Sequence, residues 1–170
     1  KRIMYIRGDG DCFYRAIYLH MINQGLFNPA LLERLKAKIQ ALLGSDEQLN
    51  RDIIGVLEAL NLLKNEDPKK FLDLCATNQT IDQGLVRIYR KITADYILEH
   101  PKDFLREDAY NINRLGQYAE ESAFAALAKA LNLTIHIVIK DPVPSFKSYG
   151  TGSTPVDIYL HGEHFDILIR

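Results

Sequence analysis

Asp9-Gly10-Asp11-Cys12-Phe13-Tyr14-Arg15-Ala16 is a tight turn that runs straight into a helix, with a cysteine at the junction. Gly8 and Gly10 let the backbone turn sharply. From Cys12 to Gln24 the apolar residues Phe13, Ala16, Ile17 and Met21 fall at helical spacing, and Gly25 supplies a C-terminal stop. Cys12 therefore stands at a helix N-terminus, where the partial positive charge favours a thiolate over a thiol whose free pKa is about 8.5. A neighbouring imidazole completes such a nucleophile. The amides of Gly10, Asp11 and Cys12 are expected to converge on one spot, which suits an oxyanion.

The imidazole must come from elsewhere in the chain, and five histidines are available: His20, His100, His136, His161 and His164. His20 is two turns along the same helix, roughly 12 Å away. His100 precedes a proline, and His136 lies in an apolar strand. His161 and His164 flank a short turn, and strand periodicity separates them. Residues i and i+2 face one side of a strand, so Asp166 can reach His164, whereas the residue two after His161 is Glu163, in the turn. The expected set is Cys12 as nucleophile, His164 as base and Asp166 as the carboxylate that orients it. Asp9, near the nucleophile in sequence, is the alternative orienter.

Periodicity predicts helices from Pro29 to about Leu43, Asp46 to Asn65, Pro68 to Ala76, Ile81 to about Glu99, and Tyr118 to Leu131, the last closed by Asn132. Lys1 to Ile6 alternates weakly, as a short strand or an extended entry. Thr134 to Ile139 is β-branched and apolar, a buried strand. Pro142 to Pro155, rich in Pro, Gly, Ser and Thr, reads as an exposed loop. Val156 to Leu160 and Phe165 to Ile169 read as a hairpin around His161-Gly162-Glu163. The expectation is one domain over 1–170, excised from a longer protein.

Apolar residues make up 47% and charged residues 25% of 170, with a net charge of -1. That is ordinary globular composition. No basic field draws a nucleic-acid backbone, and no apolar run approaches a membrane span. The two cysteines, Cys12 and Cys75, make no disulfide framework, so free thiols in a reducing, cytosolic compartment are expected. Cys75 reads as a small buried hydrophobe.

Asp9 to Ala16 resembles the cysteine box of the ovarian tumour (OTU) family of cysteine proteases, and His164-Phe165-Asp166-Ile167-Leu168 is similar to its histidine box. Gly116-Gln117-Tyr118-Ala119-Glu120-Glu121, followed by Ala125, Leu127, Ala128 and then Ile135, Ile137, Val138, resembles the helix and strand between the boxes. The segments come in the family's order. The chain departs from the family's pattern at Asp11, usually asparagine, at Phe165, usually tyrosine, and in lacking tryptophan before the middle motif, as a divergent bacterial or viral member would.

The resemblance implies an α+β, papain-like fold with a small central sheet flanked by helices, a helix-rich middle and a C-terminal hairpin. It implies a deubiquitinase that hydrolyses the isopeptide bond after the Gly-Gly tail of ubiquitin or polyubiquitin through an acyl-enzyme on Cys12, as a monomer and without a cofactor. Phe165 is the expected wall of the channel for that tail, and Glu120 and Glu121 the expected acids for its arginines. The alternatives are a catalytically silent ubiquitin-binding module of the same fold, or a cysteine peptidase acting on another ubiquitin-like protein.

Competing readings of single motifs are weaker. Arg7-Gly8-Asp9 spells an adhesion tripeptide, Asn78-Gln79-Thr80 and Asn132-Leu133-Thr134 spell glycosylation sequons, and His161, Glu163, His164 and Asp166 carry metal-ligand types. Adjacent positions in one hairpin rarely surround an ion, and no metal is expected.

Overall fold

The structure is a computed structural model that describes residues 2–6, 8–62, 68–140 and 143–169. Lys1, Arg7 of the adhesion tripeptide, the expected helix end at Asn65 and Pro142 at the head of the expected loop lie outside the described residues. The chain forms two compact units: one of residues 1–17 and 89–170, the other of residues 18–88.

The first unit holds a five-stranded sheet in the order β1-β5-β4-β2-β3. Its strands are β1 (Arg2–Met4), β2 (Leu133–Ile139), β3 (Ser145–Tyr149), β4 (Thr154–His161) and β5 (His164–Ile169). Parallel pairing joins β2 to β4; the other three ladders are antiparallel. Along β2, Leu133, Ile135 and Ile137 are buried while Thr134, His136 and Val138 are half-exposed, the period-two alternation of a strand with one face on a core. Helix α7 (Glu121–Ala130) packs on β2 and buries Ala123, Phe124, Ala126, Leu127 and Ala128. Its end is Asn132 at φ 54, the left-handed closing residue that the sequence suggested.

Two features of this unit were not anticipated. Ser145–Tyr149, expected to be loop, is an edge strand paired to β2 from Ile135↔Tyr149 to Ile139↔Ser145. It is exposed along nearly its whole length, so its side chains carry no burial period, and only the ladder to β2 makes it a strand. Helix α6 (Arg106–Ile112) was likewise missed, because it is too short for a stripe and buries only Ala109 and Ile112.

The second unit is helical: α2 (Pro29–Gln40), α3 (Glu47–Leu62) and α4 (Pro68–Thr77), with the later residues of α1 (Cys12–Phe27) and the earlier residues of α5 (Gln79–Glu99). Leu32, Leu35, Ile39, Ile53, Leu60, Phe71 and Leu85 form its core. Asp52, nearly buried, is held by Arg87 at 3.0 Å and Gln48 at 3.1 Å. Tyr18 donates to Asp82 in the same interior. Helix α1 continues through Gly25 and stops before Asn28, whose side chain caps α2 at Leu31 N–H. Asn78, read as a possible sequon, caps α5 through the N–H groups of Thr80 and Ile81, so that helix begins two residues before the apolar stripe at Ile81.

Candidate active site

Every proposed site residue belongs to the sheet-containing unit. Cys12 is the first residue of α1, as expected, and is 1% exposed. The turn before it closes with Cys12 N–H on Asp9 O at 3.2 Å, and Asp11 O accepts from Arg15 N–H at 3.1 Å. The thiol points at the start of β5: Sγ donates to Glu163 O at 3.7 Å and receives the backbone N–H of Phe165. Residue 164, between those two backbone groups, is the histidine.

His164 and Asp166 lie on one face of β5, and their side chains meet at 2.8 Å, His164 Nε2 to Asp166 Oδ1. Asp166 is fully buried, and Ile6 N–H also donates to Oδ1 at 2.7 Å. Burial alone would raise its pKa. The donors from His161, Ile6 and His164 outweigh it and hold the carboxyl below its ordinary range. An ionised carboxylate only accepts, so Nε2 of His164 carries hydrogen and Nδ1 is the basic nitrogen. That Nδ1 is buried without a hydrogen-bond partner among the described residues, and Gly8 lies against it: a methyl group built on Gly8 would sit 3.4 Å away.

His161, set aside in the sequence because the residue two after it, Glu163, lies in the turn, also reaches Asp166. Its Nε2 stands 2.8 Å from Oδ2. The reason is register: His161 on β4 is directly opposite His164 on β5, so Asp166 is its diagonal neighbour across the ladder. Facing ligand atoms of His161, His164 and Asp166 lie within 4.8 Å of one another, the arrangement among the described residues best suited to a metal ion. Both imidazoles spend their Nε2 on the carboxylate, so an ion would have to break those bonds. Glu163 is not in the cluster.

Asp9 is engaged elsewhere. Its carboxylate takes the Arg15 guanidinium at 2.9 and 3.3 Å and the N–H of Asp11 at 3.0 Å. Of the two candidate orienters, Asp166 is the one bonded to His164. The oxyanion expectation changes as well, because the Asp11 and Cys12 amides already donate to Asp9. Burial pushes the Cys12 thiol above its ordinary pKa; the Phe165 N–H opposes this, the Asp9 charge adds to it, and the backbone N–H of Phe13 and the charge of Arg15 oppose it more weakly. Desolvation therefore outweighs the donors at the helix start.

A brace invisible in the sequence holds the turn. Arg90 of α5 is 1% exposed and lies over the Tyr14 ring, 4.3 Å from its centroid. It donates to Asp11 Oδ1 at 2.6 and 3.2 Å, to Gly10 O at 3.2 Å, to Ile112 O at 2.9 Å and to Gln117 O at 2.8 Å. Asp11 Oδ1 also takes Gly116 N–H at 2.9 Å. Gly10 is obligatory here, since a Cβ would meet Gly116 O at 1.7 Å. Nothing in the sequence singles it out: Arg90 stands between Arg87 and Lys91 on an amphipathic helix, and only the fold buries it.

The proposed substrate residues fare differently. Phe165 points to the opposite face of β5 from His164, 3% exposed, with its ring edge-on to Phe13 at 5.4 Å and Phe124 at 5.5 Å. It is a core residue rather than an open channel wall, because adjacent strand residues face opposite sides. Glu121 accepts from Lys147 at 3.0 Å and Tyr149 at 2.8 Å, which lowers its pKa. Glu120 is the residue before α7 and makes no side-chain cap.

The fold is shared with solved structures of low sequence identity. The h/ceOTUB1–ubiquitin aldehyde–UBCH5B~Ub complex matches with a TM-score of 0.82 at 18% identity, over 98% of this chain and 75% of that one. The ceOTUB1–ubiquitin aldehyde–UBC13~Ub complex matches with 0.82 at 18%, over 98% and 78%. The OTUD1 OTU domain matches with 0.54 at 16%, over 99% and 85%. No curated protein matches in sequence. The family model for peptidase C65, otubain, matches residues 1–170. The chain belongs to the peptidase C65 otubain family and is a cysteine-type deubiquitinase of the OTU fold.

Proposed function

We propose that this chain hydrolyses the bond after the C-terminal Gly-Gly of ubiquitin or polyubiquitin, with Cys12, His164 and Asp166 as the reacting site. One observation carries the assignment: the Cys12 thiol is bracketed by the backbone of residues 163 and 165, while His164 spends Nε2 on buried Asp166 and keeps Nδ1 unpartnered among the described residues. Nδ1 of His164 takes the thiol proton as Sγ attacks the scissile carbonyl carbon. The resulting imidazolium, stabilised by Asp166, returns the proton to the departing lysine amine and leaves a thioester on Cys12. A water then loses its proton to Nδ1 and attacks the thioester, releasing the ubiquitin carboxylate and restoring the thiol.

The developing oxyanion needs amides that Asp9 holds in the resting turn. Cys12 N–H, bonded at 3.2 Å to a neutral carbonyl, is released more cheaply than Asp11 N–H, bonded to a carboxylate. The complexes with ubiquitin aldehyde formed by proteins of this fold support ubiquitin as partner. We place the domain in a reducing compartment such as the cytosol, a reading that its two free cysteines support.

A ubiquitin probe with a C-terminal electrophile tests the assignment. Wild-type labelling that disappears in Cys12→Ala, with turnover abolished in His164→Ala, is the expected result; binding with no labelling of the wild type sinks it. The raised thiol pKa and the occupied Asp11 amide favour one second reading, a ubiquitin-binding module whose site stays unassembled. The same probe separates the two.

A further inference from the structure

We propose that His161 is a positioning residue, which holds Asp166 from the side opposite His164 and so sets the imidazole that works on Cys12. This rests on the assignment of Cys12 and His164 as the reacting pair. The geometry is a carboxylate between two imidazoles. Oδ1 takes His164 and the Ile6 amide; among the described residues, His161 is the donor to Oδ2.

Asp166 is 0% exposed with His161 in place, so an apolar side chain that keeps this cover, as in His161→Leu, leaves Oδ2 without a donor. A buried carboxylate left with an unpaired oxygen either takes up a proton or rotates to find a partner. Either change weakens the anion that fixes His164 in its Nε2–H form and stabilises its imidazolium. His161 is itself fixed in place. Its ring lies 5.2 Å from Tyr159 at a tilt of 30° and edge-on to His164 at 5.0 Å, with its side chain 40% exposed. A histidine at the protein surface with one nitrogen committed to a fully buried carboxylate is not explained by solvation.

The steady-state test uses ubiquitin with a C-terminal fluorogenic amide and the variants His161→Ala, His161→Leu, His161→Gln and His164→Ala. Removing the donor in His161→Ala or His161→Leu is expected to lower kcat on the order of 10-fold, as outer partners of oriented imidazoles do. KM stays within about twofold, because the residue acts in the chemical step rather than in binding. Glutamine, which retains an N–H donor, recovers most of the loss; a merely structural role in the hairpin shows no such rescue. Leucine covers Tyr159 without a donor and decides the matter if alanine fails to fold. Wild-type kcat in a folded alanine or leucine variant overturns the proposal, as does a glutamine variant as impaired as they are. Full turnover by His164→Ala overturns the assignment of the reacting pair instead.

Discussion

Replacing Arg90 with methionine removes the brace under the nucleophile turn while keeping an apolar side chain against Tyr14. The perturbation strips Asp11 of its buried cation and leaves the carbonyls of Gly10, Ile112 and Gln117 without the donors they have now. Arg90 is 1% exposed and the Asp11 side chain 17%, so water replaces those donors poorly. Breaking one side of a buried ion pair costs about 3 to 5 kcal/mol, most of the stability of a marginal domain. Asp11→Asn keeps an oxygen for Gly116 N–H but leaves the guanidinium uncompensated, for about 2 kcal/mol. Since each single change strands the other partner, the double variant should cost less than the sum, with a coupling of about 2 kcal/mol. Urea unfolding of the four proteins gives the cycle, and kcat on a ubiquitin substrate reports whether the turn still presents Cys12. An Arg90→Met protein within about 1 kcal/mol of wild type, or a coupling below about 0.5 kcal/mol, refutes the reasoning.

Gly10→Ala forces a Cβ into Gly116 O at 1.7 Å, so the 116–117 segment must leave Asp11 and Arg90; a loss of about 3 kcal/mol and of most probe labelling is expected, by unfolding and gel assay. Iodoacetamide alkylation of Cys12, located by mass spectrometry, should still be accelerating at pH 9, because burial and Asp9 raise its pKa, with Cys75, pushed up to about 12, slower still. A Cys12 rate that levels off below pH 7 contradicts this. Asp166 titrates below its ordinary value of 3.8 when folded, so its contribution to stability is complete above that value and is lost as pH falls through the lower folded one. In Asp166→Asn, urea midpoints measured from pH 5 downward should decline less steeply than in the wild type; equal slopes assign the acid sensitivity to other groups.

Local rules sufficed where the answer depends on neighbours in the chain. The glycine turn and apolar spacing predict Cys12 at the head of α1, Asn132 closes α7, and β-branched residues mark β2. Strand period alone puts His164 and Asp166 on one face and, followed through, puts Phe165 on the other; aligning Phe165 with the channel neglected that alternation. Ser145–Tyr149 escaped notice because an exposed edge strand owes its conformation to backbone bonds with β2, which no side-chain pattern reports.

The sequence by itself determined the glycine turn that puts Cys12 at the head of α1, the pairing of His164 with Asp166, and the order in which they occur, since each depends on separations of a few residues along one helix or strand. Only the tertiary structure decided who braces them. Cross-strand register brings His161 to Asp166, and a buried guanidinium more than seventy residues from Asp11 clamps the turn. The same burial raises the Cys12 pKa against its helix N-terminus, because desolvation depends on what surrounds a group and not on its neighbours in sequence.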